Sequence, residues 1–298
     1  MTIKQALAHA REILVTNNIE DAPLECELLL RYTLKISRVQ LYTDLDHELS
    51  PEQERTFWHL IERRKNGEPT AYITEHREFY GLDFYVDPRV LIPRPESELL
   101  VEEALSLAQS QTISTIADIG TGCGAIAISL TLNLPQAKIY ATDISAHALD
   151  VALLNCQKHG VVDRVFLLQG DILEPLPEPV DLIIANLPYV KDSELPAPNF
   201  EPVLALNGGS DGLEKIRQLC NQASHKLRPE GSLLLEIGQG QRETINKFLG
   251  SFFPNAEIEV MPDLSGIERV VRLIQLPTMK QKEADDGRFR LLASAIKF

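Results

Sequence analysis

From residue 116 the chain alternates short apolar runs with helical stretches, and no other feature restricts its fold as much. IADI at 116–119, KIYATDI at 138–144, VFLLQG at 165–170, VDLIIAN at 180–186 and GSLLLEIG at 231–238 read as strands. Helical patterns near 123–134, 145–159, 212–227 and 241–251 lie among them. Strands covered on both faces read as near-continuous apolar runs, which is the mark of a parallel sheet. The rhythm therefore predicts an α/β fold with a doubly wound sheet. AEIEVMPD at 256–263 and RVVRLIQL at 269–276 follow each other with no helix between them. They are expected to complete a seven-stranded, mostly parallel sheet with an antiparallel C-terminal hairpin. The closing stretch KQKEADDGRFRLLASAIKF fits no further strand–helix unit, and residues 279–298 are given no role.

The first 76 residues follow another pattern and predict a small N-terminal helical domain. Ile3, Leu7, Ala10 and Leu14 fall on one face of a helix. A second helix is expected from Asp21–Pro23 through Leu24, Leu28 and Leu30. SPEQ at 50–53 has the form of a capping box, with Ser50 as cap, Pro51 at the first helical position and Gln53 reaching back. That third helix carries Phe57, Trp58, Leu60 and Ile61 and is ended by Gly67 and Pro69. Three short helices pack as a small bundle. With no glycine turn or strand-end acceptor, residues 1–76 are expected to recognise a substrate and not to do chemistry. Residues 77–92, REFYGLDFYVDPRVLI, read as a hairpin around Gly81 that links this region to the domain at 93–278. Pro93–Pro95 opens that domain with a rigid turn into an amphipathic helix.

Net charge is −14 over 298 residues, which disfavours a nucleic-acid partner because phosphate binding needs a basic surface. ERRKNG at 62–67 with Arg77 is the densest basic stretch, and a solvated helix end accounts for it more simply. The apolar runs are too short to span a bilayer, and MTIKQALAHA lacks the long apolar stretch of a signal peptide. A cytoplasmic chain with no membrane association is expected. Cys26, Cys123, Cys156 and Cys220 are scattered, form no metal-ligand pair and suit a reducing compartment. Cys123 as a nucleophile is a weak candidate, since the small-residue niche of a glycine-rich turn explains it as well.

Four strand ends carry the candidate site. DIGTGCG at 118–124 follows the first strand, and Gly120, Gly122 and Gly124 permit a tight turn with close backbone approach. The spacing is not that of the usual dinucleotide fingerprint. Asp118 facing the turn is unfavourable for phosphate and suits an amino-bearing ligand. Asp143 ends the next strand, where a carboxylate accepts from both hydroxyls of a ribose, and Ile144 offers an apolar shelf. In GDIL at 170–173, Asp171 can accept from an exocyclic amine and Ile172 can lie near a ring. Asn186 ends the fourth strand in NLPY. Its amide oxygen and the neighbouring backbone carbonyls suit a planar –NH2 group, with Tyr189 as a flat face. A strand-ending turn is the plain alternative for Asn186, Leu187, Pro188 and Tyr189.

Taken together these residues resemble the class I S-adenosylmethionine-dependent methyltransferases, and within them the peptide chain release factor glutamine methyltransferases. The resemblance runs to about residue 276. It rests on LIPRPESELL at 91–100, DIGTGCG, ATDIS, NLPY, EPVLALNGGSDGL at 201–213, LLEIGQGQ at 234–241 and DLSGIERVV at 263–271. It implies S-adenosylmethionine as methyl donor, S-adenosylhomocysteine as product, and no metal. By position it implies that Asp118, Gly120, Thr121, Gly122 and Gly124 flank the donor's amino-acid end. Asp143 would then meet ribose, and Asp171 and Ile172 would lie beside adenine, for which Ile144 is the expected apolar shelf. Asn186, Pro188 and Tyr189 would hold a glutamine amide, with the Leu187 carbonyl as a second acceptor. The implied partner is a release factor; a monomer with no direct nucleic-acid partner is expected. Two departures stand out. Leu187 replaces the proline of the family's NPPY, losing a fixed φ but keeping the carbonyl. Ser97 replaces a threonine, keeping the hydroxyl. NLPY is also similar to the version in ribosomal RNA adenine-N6 dimethyltransferases, so an adenine-N6 methyltransferase is the main alternative. A silent binding protein on the same fold and an NAD-dependent oxidoreductase are weaker ones.

Overall fold

The computed structural model describes residues 1–197 and 200–276; the C-terminal stretch 279–298 lies outside the described residues. The N-terminal region is helical: α1 Ile3–Thr16, α2 Ala22–Leu34, α3 Arg38–Thr43, α4 Pro51–Lys65 and α5 Thr70–Thr74. The Ser50–Gln53 capping box forms as its residues require, and Thr2–Gln5 and Ser37–Gln40 form two more. Helices α3 and α5 were not foreseen, because five or six residues are too few to display a helical period. The second expected helix forms as α2, and only part of its apolar set is buried. Cys26, Leu29 and Leu30 are buried, whereas Leu24 is exposed. Apolar residues lie all round α2, so periodicity alone could not choose its face. Ile3, Leu14, Leu30, Phe57 and Ile61 share one apolar cluster.

The hairpin is shorter than its alternating sequence suggested. Strands β1 (Arg77–Phe79) and β2 (Leu82–Phe84) pair antiparallel, and residues 85–92 are not strand. Tyr80 and Gly81 both have positive φ, 53° and 71°, as a two-residue type I′ turn demands. Phe79 and Phe84 are buried in the same core as the helices of the large sheet. Tyr72 of α5 joins them, and its hydroxyl donates to the Val90 carbonyl at 2.5 Å.

The large sheet has seven strands: β3 Thr115–Ile119, β4 Lys138–Asp143, β5 Val165–Gln169, β6 Val180–Ala185, β7 Leu227–Glu236, β8 Ala256–Pro262 and β9 Glu268–Gln275. Their spatial order is β5-β4-β3-β6-β7-β9-β8, with β3 to β7 parallel and β9 antiparallel to both neighbours. The connecting helices are α6 Glu98–Ser110, α7 Ala125–Asn133, α8 Ala146–Lys158, the short α9 Val203–Leu206, α10 Glu214–Lys226 and α11 Arg242–Phe252. Alternate residues of each strand enter opposite cores. Leu182 and Ile184 pack with α6 and α7, while Ile183 and Ala185 pack with α10 and α11. Register places Ile119 beside both Thr142 and Ala185, and Asp143 beside Gln169. The four strand ends are therefore level. The chain winds outward from β3 through β4 to β5, then crosses back to β6, so a crevice opens at the switch between β3 and its two neighbours.

Candidate functional site

The crevice at these strand ends encloses about 780 Å³ of empty space, part of it open to solvent. Its lining includes Gly120, Gly122, Asp143, Ile144, Asp171, Ile172, Asn186, Leu187 and Pro188. Four separate sequence blocks thus meet in one place. Asp118, Thr121, Gly124 and Tyr189 do not reach the wall and act from behind it.

The glycine turn is built from below. Asp118 is 1% exposed and accepts from the Thr121 hydroxyl at 2.6 Å and the Ala127 N–H at 3.1 Å. Burial pushes its carboxyl up to about 6, against the pull of those two hydrogen bonds. Its carboxylate is turned to the start of α7. Gly124 caps that helix with φ +84°, and a Cβ there would stand 3.2 Å from Ile128 Cδ1 and 3.4 Å from Ala152. The Gly120 and Thr121 N–H groups both donate to the Thr142 carbonyl at 2.9 Å. Cys123 is buried and its thiol is pushed up to about 12 by burial, so it carries no nucleophilic thiolate.

Asp143 faces the crevice with one oxygen accepting from Gly122 N–H and the other from Ser145 N–H, each at 2.9 Å. Each oxygen keeps a further lone pair. Burial raises its pKa above the ordinary carboxylate value. Ser145 caps α8 on its own, leaving Asp143 free of that duty. Ile144 is exposed at the mouth. Asp171 is held by Gln218 Nε2 at 2.6 Å and Lys215 Nζ at 3.5 Å. Ile172 has φ +56°, strained for a β-branched residue, and its carbonyl accepts from the Thr142 hydroxyl at 2.9 Å.

Asn186 stands at the end of β6 with its Nδ2 donating to Ser97 Oγ at 3.0 Å. Ser97 donates in turn to Glu236 at 2.5 Å, and the Tyr189 hydroxyl donates to the other Glu236 oxygen at 3.2 Å. Burial, aided by the Glu236 charge, pushes the Tyr189 phenol up to about 12. Leu187 is buried, with Cδ2 3.4 Å from where a Cβ on Gly120 would stand. Its side chain anchors the loop to the glycine turn, a contact that the substitution for proline did not reveal.

The remaining blocks hold this loop in place. A Cβ on Gly208 would stand 2.7 Å from the Pro188 carbonyl oxygen, so only glycine allows the two backbones to lie together. Val190 N–H donates to Leu206 O at 3.0 Å, and Gly208 N–H returns a bond to Val190 O at 2.8 Å. Gln241 Nε2 donates to the Tyr189 carbonyl at 3.2 Å. Arg94 pairs with Glu201 at 2.5 Å, tying the segment before α6 to the segment before α9. The basic stretch at 62–67 is spent on ion pairs: Arg63 with Glu68, Arg64 with Glu25 and Lys65 with Glu62. Glu236, Gln218 and Gln241 were missed in the sequence reading. Glu236 carried the same signal as Asp143, an acidic residue closing an apolar strand.

Two families match the chain, one described as PrmC N-terminal domain at residues 5–74 and one as Methyltransferase small domain at residues 95–199. A release factor glutamine methyltransferase of Moorella thermoacetica is 43% identical over 274 residues, covering 90% of this chain and 97% of the relative. Another, of Geobacter sulfurreducens, is 40% identical over 278 residues, covering 91% and 95%. Among solved structures, a methyltransferase from Pyrococcus furiosus has a TM-score of 0.51 at 18% identity, covering 67% of this chain and 91% of its own; that likeness concerns the fold.

Proposed function

The chain belongs to the release factor glutamine methyltransferase family, and on that premise we propose that it methylates the glutamine of the Gly-Gly-Gln loop of peptide chain release factors. The product is N5-methylglutamine, and S-adenosylhomocysteine remains. The observation that carries the reading is Asn186. It lines the same crevice as Asp143 and the glycine turn, and its –NH2 end is taken by Ser97. Its oxygen is thereby left for an amide –NH2.

The crevice suits S-adenosylmethionine in its own chemistry. Asp143 has spare acceptor capacity for a ribose diol, Ile144 and Ile172 give apolar flanks, and the glycine turn lets a ligand approach the backbone. The donor supplies a methyl group made electrophilic by its sulfonium. An amide nitrogen is a poor nucleophile because its lone pair is shared with the carbonyl. Asn186 Oδ1 and the Leu187 carbonyl are read as the acceptors that turn the –NH2 toward that methyl and favour the positive charge that grows on nitrogen. Pro188 lines the slot in which the amide plane rests, with Tyr189 behind it. Alignment supplies much of the remaining rate. After transfer the nitrogen proton is acidic and passes to water, so a direct transfer needs no metal. Residues 1–76 are read as the part that recognises the factor, 77–92 as the link and 93–278 as the methyltransferase domain. The enzyme works on this reading as a cytoplasmic monomer, without membrane or direct nucleic-acid contact.

The test offers purified release factor and labelled methyl donor, then maps the product by peptide mass spectrometry. A methyl group on the Gly-Gly-Gln glutamine is expected, with strong loss in Asn186→Ala while donor affinity stays within a few-fold. Methylated adenine in RNA beside an unmodified Gly-Gly-Gln loop would reject the assignment.

A further inference from the structure

Strand β7 ends in Glu236, only 1% exposed, and its two oxygens serve two residues behind the crevice wall. One accepts from Ser97 Oγ at 2.5 Å and the other from the Tyr189 hydroxyl at 3.2 Å. Ser97 is itself 3% exposed and accepts from Asn186 Nδ2 at 3.0 Å. Three elements distant in sequence are thus joined: the turn before α6, the loop after β6 and the end of β7. We propose that Glu236, acting through Ser97, is a positioning residue that fixes which end of the Asn186 amide faces the reacting nitrogen. The proposal rests on reading Asn186 as the residue that orients the substrate amide.

The count of donors and acceptors fixes the direction of each bond in this chain. An ionised carboxylate only accepts, so it takes the single proton of Ser97. Ser97 then has only lone pairs to offer Asn186. The –NH2 end of Asn186 must meet them, and its oxygen is turned to the crevice. A glutamine –NH2 needs that oxygen; an Asn186 turned the other way would set donor against donor. Glu236 also holds the hydroxyl of Tyr189, so one buried group orients the acceptor and the aromatic face together.

The relay depends on charge. The groups acting on Glu236 are Ser97 and Glu96 from the turn before α6, Tyr189 from the loop after β6, and Arg269 from β9, which also pairs with Asp263. Burial, with the Glu96 charge, raises its pKa above the ordinary glutamate value, while Ser97, Tyr189 and Arg269 oppose the rise. A protonated Glu236 can donate to Ser97. The Ser97 hydrogen is then free to turn to Asn186, and the order of donors reverses. Methyl transfer is therefore full above this raised pKa and declines as pH falls through it, although the amide substrate itself does not titrate there.

Single-turnover methylation of purified release factor, with saturating labelled donor, tests the relay as a function of pH. The variants are Glu236→Gln, Ser97→Val, Ser97→Thr and Asn186→Ala, each with donor affinity measured by calorimetry. Glu236→Gln and Ser97→Val are expected to lose about 10- to 100-fold in rate, the scale of loss when an orienting group is misplaced, and to flatten the acid limb. Donor affinity should stay within a few-fold. Ser97→Thr restores the rate and the limb lost in Ser97→Val, a residue of similar shape without the hydroxyl, which separates the relay from packing. Wild-type rate and pH profile in Glu236→Gln, with Asn186→Ala inactive, would overturn the relay alone. So would equal activity of Ser97→Val and Ser97→Thr. Full activity in Asn186→Ala would overturn the underlying reading of Asn186 and the relay with it.

Discussion

Two aspartates at adjacent strand ends, Asp118 buried and Asp143 half-buried, do different work. Asp143 keeps lone pairs facing the crevice, so Asp143→Ala should weaken S-adenosylmethionine binding by roughly 1.5–3 kcal/mol, the worth of a charge-assisted hydrogen bond. Titration calorimetry measures this, with the melting temperature of the free enzyme as control, because Asp143 also holds the Gly122 and Ser145 amides. Asp118 is spent inside the turn, and its burial has a thermodynamic sign. Its folded pKa of about 6 lies above the ordinary aspartate value of 3.8, so the unfolded chain loses this proton first. Stability held at low pH is lost as pH rises through that window, by roughly 3 kcal/mol for this group. Asp118→Asn removes the titration. Urea denaturation of the two proteins from about pH 4 to about pH 7 should show the wild type falling relative to the variant; parallel curves would contradict the assignment. The sequence displayed both aspartates but not their division of labour. That depends on where a carboxylate points, and a motif at a strand end does not encode direction.

At the scale of elements, the loop after β6 is held by neighbours and not by its own stiffness. Gly208 lies flat against Pro188, Gln241 grips the Tyr189 carbonyl, and Leu187 is sunk beside Gly120. Gly208→Ala would place a methyl group against two backbone carbonyl oxygens, neither of which can swing aside as a side chain does. We expect a loss of about 1–3 kcal/mol by denaturant titration, the usual cost of overpacking. Methyl transfer should fall further than donor affinity, because the proposed function reads the displaced loop as the substrate side of the crevice. The strands were legible from their apolar runs, and the C-terminal hairpin from the missing helix between β8 and β9. The short helices α3, α5 and α9 were not, because four to six residues give periodicity nothing to repeat. The blocks around Gly208 and Gln241 were visible as sequence. Their meaning came only with the packing of one backbone on another.

At the scale of the molecule, the sequence divides cleanly into a helical part and a sheet part, but the packing does not follow that line. Tyr72 comes from the last helix of the N-terminal region, yet it is buried among Phe79, Phe84 and residues of α6 and α7. Its hydroxyl is bonded to the carbonyl of Val90, a residue of the crevice wall. A shortened chain that begins at about residue 77 would leave a hole where that ring belongs, at a cost of about 3–5 kcal/mol by the scale of aromatic truncations. One that begins just before α5 would keep it. We expect the longer of the two to bind S-adenosylmethionine like the full chain and the shorter to bind it poorly, with both failing on intact release factor. The same ring also bears on how the whole chain melts. A bundle joined only by a flexible tether would come apart in its own heat-absorption peak. A bundle whose aromatic residue fills the neighbouring core cannot melt without opening that core. Scanning calorimetry should therefore record one peak whose calorimetric and van't Hoff enthalpies agree, and Tyr72→Ala should split it into two.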